Sequence, residues 1–289
     1  MHKWNLNKNL ISNEDNKEIS ESVNFNKEVN TLGIIWNPKR DTFQYRINLK
    51  PHLSKLTKRV ILPVASKIFD PLGSIGPITV QSKLLLQNLW RSKVGWDNPV
   101  PAELQSKWTH FRAQLQSISK ISIPRYAFSN DYVSSELHGF CDASELAYGC
   151  YYIKTENSQG DATVNLLCAK SRVAPVKSIS LSRLELLAAL LLARLYQQVT
   201  KALTIKPTST HLWSDSTITL AWIKGESSRW VPFVANRVTE IQKLTDQIEW
   251  HHVDSKGNPA DIISRGMNPE QLNSCLLWWN GPKWLKTKD

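Results

Sequence analysis

The chain has 289 residues, 41% of them hydrophobic, and carries 36 Lys and Arg against 25 Asp and Glu, for a net charge of +11. That length leaves room for two domains, and that apolar fraction excludes a wholly disordered chain. The four cysteines (Cys141, Cys150, Cys168, Cys275) form no CxxC pair, which argues against a disulfide framework or a zinc finger and for reduced intracellular thiols.

Residues 1–30 are polar and rich in Asn, Glu and Lys, as expected of a flexible or truncated lead. TLGIIW (31–36) and DTFQYRINL (41–49) read as two strands joined by NPKR, a hairpin over 31–50. From His52 to about Ile121 the period turns helical, in a stretch expected to form a basic helical domain over 51–130. LSKLTKRVILPVASKIF should break at Pro63 and ends in the Pro/Gly turn DPLGSIGP. ITVQSKLLLQNLWRSKV sets Leu84, Leu85, Leu89 and Trp90 against Gln81, Lys83, Gln87, Asn88 and Arg91, an amphipathic helix. PAELQSKWTHFRAQLQSI is another helix, with Pro101 suited to its first turn. IPRYAFSNDYVSS reads as a linker.

A second domain is expected over 131–270, followed by a tail at 271–289. ELHGFCDAS, AYGCYYIKT and TVNLLCAKS read as three antiparallel strands. LSRLELLAALLLARLYQQVTKAL is one long helix, apolar around most of its girth and so buried. Its apolar stretch is too short to cross a bilayer and holds Glu185 and Arg194; MHKWNLNKNL has no apolar signal core, so no membrane partner is expected. THLWSD is a strand, STITLAWIKG and VPFVANRVTEIQKLT are helices, IEWHHV is a strand, and NPADIISRG opens a terminal helix. The order βββ-α-β-α-α-β-α predicts a mixed α/β sheet flanked by helices.

Charge is unevenly placed. Lys50 to Arg125 holds twelve basic residues and three acids, whereas Val133 to Glu270 holds fourteen of each. A basic stretch beside a neutral, acid-centred one suits a bound polyanion. Twelve Trp are expected mainly as core anchors, with stacking on bases as the alternative.

Four acids stand in separated contexts: Asp142 in GFCDAS, Glu185 in LSRLELLAAL, Asp215 in LWSDST and Asp261 in GNPADIISRG. Carboxylates are hard oxygen ligands for Mg²⁺. Brought together, four could hold two ions about 3.5–4 Å apart for phosphodiester hydrolysis. Taken singly, Asp215 could cap a helix and Asp261 could be a first-turn acid. Glu185 within an apolar helix is harder to dismiss, because a buried carboxylate needs a metal or a cation.

Four acids in this order on these elements resemble a ribonuclease H-like fold. SRLELLAALLLARL, WSDSTITLAWI, FVANRVTEIQKLT, WHHVDSKGNPADIISRG and WWNGPKWL resemble the RNase H segment of Pao/BEL long-terminal-repeat retrotransposon polyproteins. TLGIIW, TKRVILPVASKIFDPLGSIGP, QNLWRSKVGWD and ISIPR resemble the end of the reverse transcriptase and its connection in those elements.

The resemblance implies an endonuclease cutting the RNA strand of RNA–DNA hybrids with two Mg²⁺ or Mn²⁺ ions on Asp142, Glu185, Asp215 and Asp261. It implies a thumb-like or connection role for 51–130, an upstream reverse transcriptase palm, a downstream integrase, and action in cytoplasmic virus-like particles or the nucleus. His251 is the candidate for proton transfer. Ser144, Arg172, Ser216, Asn236 and Arg237 are candidate nucleic-acid contacts. No YxDD polymerase motif is present. Two alternatives stand beside this reading. One is a catalytically silent nucleic-acid-binding remnant. The other is an aspartic peptidase, a description also given to this Pao region, although the chain has neither D-T-G nor D-S-G.

Overall fold

The computed structural model describes residues 29–31, 34–49, 55–129, 131–144 and 150–287. All but the last two positions of the expected 1–30 lead lie outside them. The chain divides into two compact units, one of residues 1–70 and 94–126 and one of 71–93 and 127–289.

The first unit contains β1 (Val29–Thr31), β2 (Ile34–Asn37), β3 (Thr42–Tyr45), α1 (Lys58–Ala65), α3 (Ala102–Gln114), a 3-10 turn and β4 (Ser122–Pro124). The strands form one antiparallel sheet in the order β1-β2-β3-β4. The expected hairpin is β2–β3, across the turn at 38–41. Ile123 and Pro124, read as linker, pair with β3 instead. Helix α1 continues through Pro63 rather than breaking there. It ends two residues later, so the missing proline N–H costs a hydrogen bond only in the last turn. Trp108, Phe111, Leu115 and Ile118 are buried in this unit's core.

In the second unit, β5 (Tyr132–Cys141), β6 (Cys150–Asn157) and β7 (Ala162–Ala169) form an antiparallel meander, and β8 (Ser209–Ser214) and β9 (Glu249–His252) add in parallel. The sheet order is β7-β6-β5-β8-β9. This is the mixed, ribonuclease H-like sheet expected from the sequence. Helix α4 (Leu181–Ala202) joins β7 to β8; α5 (Thr217–Lys224) and α6 (Pro232–Leu244) join β8 to β9. Leu186, Ala188, Ala189, Leu192 and Ala193 of α4 are fully buried in a cluster with Leu137, Ile153, Leu212, Val238 and Ile241. Each buried leucine there is worth roughly 1.5–3 kcal/mol.

A separate aromatic group uses the alternate side chains of the same strands. Phe140 meets Tyr152 edge-on at 5.7 Å and stacks on Trp213 at 6.1 Å, and Trp213 lies 4.6 Å from Trp284. The segment expected as a tail is therefore part of the core. After α7 (Ala260–Arg265) come α8 (Pro269–Asn273) and α9 (Leu276–Asn280). Trp278 is fully buried and donates to the Ser74 carbonyl at 2.8 Å.

Helix α2 (Gly76–Arg91) also groups with this unit, rather than with the helical domain expected over 51–130. Its reach explains why: Gln87 donates to the Ala174 carbonyl and Lys83 to Ser171. Just before it, Gly73 (φ +74°) lets the chain pass against the Ala169 carbonyl. Among the described residues no helix is long and apolar enough to cross a membrane.

Candidate metal centre

Strands β5 and β8 are parallel neighbours, with Cys141 opposite Ser214. The residues that follow, Asp142 and Asp215, therefore leave two adjacent strands at the same end. Glu185 arrives from the start of α4, where its Oε2 accepts a hydrogen bond from the Ala143 N–H at 3.2 Å. Carboxylate oxygens of Asp142, Glu185 and Asp215 all lie within 4.8 Å of one another.

Such a cluster is costly without a cation. Burial, then the charges of Asp142 and Asp215, push the Glu185 carboxyl up to about 8. Burial also raises Asp142 to about 6, opposed by its hydrogen bond from Ser264 and assisted by the charges of Asp215 and Asp261. Desolvation and like charge both disfavour the ionised form. Asp215 supplies the sharpest sign of a missing partner. Its Oδ2 accepts from the Ser255 hydroxyl at 2.8 Å, but its Oδ1 is buried and has no hydrogen-bond partner among the described residues. A buried carboxylate oxygen left unmatched is unusual, and a hard cation would match it. The donor set, all oxygen and all carboxylate, fits Mg²⁺ or Mn²⁺.

Asp261 stands outside this trio. It lies in the first turn of α7, and its Oδ1 accepts from Arg265 Nε at 2.6 Å. It is near enough to raise Asp142 electrostatically, and Ser264 of the same helix donates to Asp142 Oδ2 at 2.5 Å. The helix cap read as a possible role for Asp215 belongs to Ser216, whose hydroxyl accepts from Thr219 N–H at the start of α5. Ser144 donates to the Ser264 carbonyl at 2.7 Å. His251 has its Nε2 3.4 Å from His211 Nδ1 and its ring 4.7 Å from Trp213. Arg172 and Asn236 are exposed, on the loop after β7 and on α6.

Three residues at the site escaped sequence reasoning. Ser255 orients Asp215, Ser264 orients Asp142, and Asn258 ties the backbone together. Fully buried Asn258 donates to the Cys141 carbonyl at 3.0 Å and accepts from the Ala260 N–H at 3.1 Å. It thus fixes the residue before Asp142 and the residue before Asp261. For Ser255 and Asn258 the only signal in the sequence was the polar run DSKGNPAD, in which each residue looks like ordinary turn chemistry, and Ser264 gave none.

The model of the family described as the Pao retrotransposon-like RNaseH-like domain matches residues 57–216, more than half of the chain. The chain belongs to this family. The match takes in Asp142, Glu185 and Asp215 and stops before Asp261. Comparison with curated proteins finds no match. Among solved structures, the chain is similar to the N-terminal RNase H domain of a Mycobacterium tuberculosis protein, at 15% identity and TM-score 0.31 over 46% of this chain and 94% of that one. It is also similar to LC11-RNase H1 in complex with an RNA/DNA hybrid, at 12% identity and TM-score 0.32 over 45% and 93%. The foamy viral protease–reverse transcriptase in complex with an RNA/DNA hybrid is similar over 82% of this chain and 30% of that one, at 12% identity and TM-score 0.41.

Proposed function

We propose that this Pao-type RNase H-like domain is a divalent-metal-dependent endonuclease that hydrolyses the RNA strand of RNA–DNA hybrids during reverse transcription. One observation carries the reading: carboxylates of Asp142, Glu185 and Asp215 converge, and Asp215 keeps a buried oxygen that no described residue satisfies. Membership in an RNase H-like family supports a nuclease-type hydrolase, and the oxygen-only donor set supports Mg²⁺ or Mn²⁺.

Asp142, Glu185 and Asp215 would hold the metal, with Asp261 beside them as a further carboxylate and two ions as the proposed number. When bound, such ions lower the pKa of an attacking water and stabilise the departing 3′ oxygen. The protein's own part is orientation. Ala143 N–H, Ser264 and Ser255 each hold one carboxylate by one oxygen. His251, whose Nε2 lies 3.4 Å from His211 Nδ1, stays the proposed residue for proton transfer. Ser144, Arg172, Ser216, Asn236 and Arg237 remain proposed contacts to nucleic acid. The wider proposal places residues 51–130 in a connection or thumb-like role. It sets the chain between a reverse transcriptase palm and an integrase of one polyprotein, acting in virus-like particles or the nucleus.

The test uses the full chain, a hybrid labelled on its RNA strand, and Mg²⁺ or Mn²⁺. Cleavage that needs the metal and disappears in Asp142→Asn is expected. Binding without cleavage would replace the proposal with a silent nucleic-acid-binding remnant.

A further inference from the structure

Three arginines gather where α4 meets α6, and only one has an acid of its own. Arg194 on α4 donates through Nε and Nη2 to the two carboxylate oxygens of Glu240 on α6, at 2.6 and 2.8 Å. That fork-to-fork pair is closed. The other two share a ring instead. Arg237 lies over Phe233, with Cζ 3.6 Å from the ring centroid, and Arg183 lies over the same ring at 5.0 Å.

Among the described residues neither Arg183 nor Arg237 forms a salt bridge. Arg237 Nη1 donates to the Phe233 carbonyl at 2.7 Å, and its Nε is buried with no partner among the described residues. Burial, then the charges of Arg194 and Arg183, pull the Arg237 pKa below the ordinary arginine value. A ring face attracts one cation, but two cations on one ring also repel each other. An anion shared between them removes that repulsion and uses the idle donors. Stacking leaves each guanidinium flat and held in place, the form that suits a phosphate fork. Arg183 is two residues before Glu185, so both start α4 within one turn of each other, with their side chains on different faces of the helix.

We propose that Arg183 and Arg237, held over Phe233, grip a backbone phosphate of the nucleic acid bound at the carboxylate site. The inference rests on the nuclease reading above and adds a specific anchor to it.

The experiment measures binding of a fluorescent RNA–DNA hybrid by full-length Asp142→Asn protein across a salt series. Arg183→Gln/Arg237→Gln is added on that background. Loss of one phosphate contact should weaken binding about tenfold or more and reduce the slope of log K against log salt by about 0.7–0.9. Arg183→Gln alone, a change to an exposed side chain, should lower affinity without altering the thermal midpoint. Arg183→Lys/Arg237→Lys should recover the salt slope, because the charge is kept. Lys283→Gln/Lys286→Gln removes the same charge at other exposed positions and should cost less. If the arginine variants keep the parent's affinity and slope, or lose no more than the lysine control, the phosphate site is overturned and the nuclease reading stands. If the Asp142→Asn parent binds no hybrid, both fall.

Discussion

Glu185→Gln should stabilise the metal-free protein while abolishing its response to metal. In the fold Glu185 keeps its proton up to about pH 8, against about 4.5 for an ordinary glutamate. A raised carboxylate pKa means that the folded chain holds the proton more tightly than the unfolded chain. The stability it contributes is therefore complete below about pH 4.5 and is lost as pH rises through about 8. At ~1.4 kcal/mol per pH unit, the full interval is worth on the order of 5 kcal/mol. Glutamine has nearly the same shape, still accepts from the Ala143 N–H, and cannot ionise.

Urea unfolding in EDTA, followed by tryptophan fluorescence from pH 5 to 9, measures this directly. Wild type should lose stability steadily with rising pH. Glu185→Gln should lose most of that slope and exceed wild type by several kcal/mol at pH 8.5. Asp142, raised to about 6, leaves a smaller slope at lower pH. Mg²⁺ should stabilise wild type more at pH 8 than at pH 6, because its ligands must be deprotonated. It should do little for the variant. A Glu185→Gln protein less stable than wild type at pH 8.5 in EDTA, or one that keeps the wild-type slope, would refute the reasoning.

Further outcomes test the scaffold. Asn258→Ala strands the Cys141 carbonyl and the Ala260 N–H inside the protein, so urea unfolding should show a loss of about 2–5 kcal/mol. A loss under about 1 kcal/mol would remove Asn258 from the account. Gly73→Ala places a Cβ 1.8 Å from the Ala169 carbonyl oxygen at a residue with φ +74°, and should yield little folded protein; normal yield and melting would contradict that geometry. Glu136, held down at about 2 by its hydrogen bond with His138 and by Lys154, contributes stability that is present above about pH 4.5 and lost as pH falls through about 2. Glu136→Gln should therefore flatten the acid limb of the unfolding curve, and an unchanged limb would show that the pair carries no such linkage.

The parts of the fold legible in the sequence were those where one local period decides the outcome. The unbroken apolar surface of LELLAALLLARL could only be a buried helix, and α4 is that helix. Strand alternation marked β5 to β7, and three of the four acids at element ends proved to be neighbours. What was not legible depended on contacts between distant positions. Nothing local tells that α2 packs through Lys83 and Gln87 on a loop almost ninety residues away, or that Trp278 completes the core. Pro63 was read by its average effect, which does not apply two residues before a helix ends. The contacts of His251 with Trp213 and His211 likewise depend on strand register, which its place in WHHV does not give.

The arrangement of hydrogen bonds at the carboxylates explains how a destabilising cluster can be kept ready. Each of the three acids gives one oxygen to the protein: Glu185 to the Ala143 N–H, Asp142 to Ser264 and Asp215 to Ser255. Those donors come from three segments, so no single local movement releases all three acids. The other oxygen of each acid accepts no hydrogen bond among the described residues, and for Asp215 that oxygen is also sealed from water. One bond per carboxylate sets direction and leaves coordination capacity, which is the role outer partners play around metal ligands. A second bond to each would offset the burial and the like charges that raise Glu185, but it would use up the lone pairs a cation needs. Asp261 differs in its donor: its one bond comes from the cationic Arg265, and it lies outside the trio. Arg265→Ala should therefore free Asp261 and strengthen Mn²⁺ binding measured by calorimetry, and a weaker affinity in that variant would mean that Arg265 supports the site rather than competing for it.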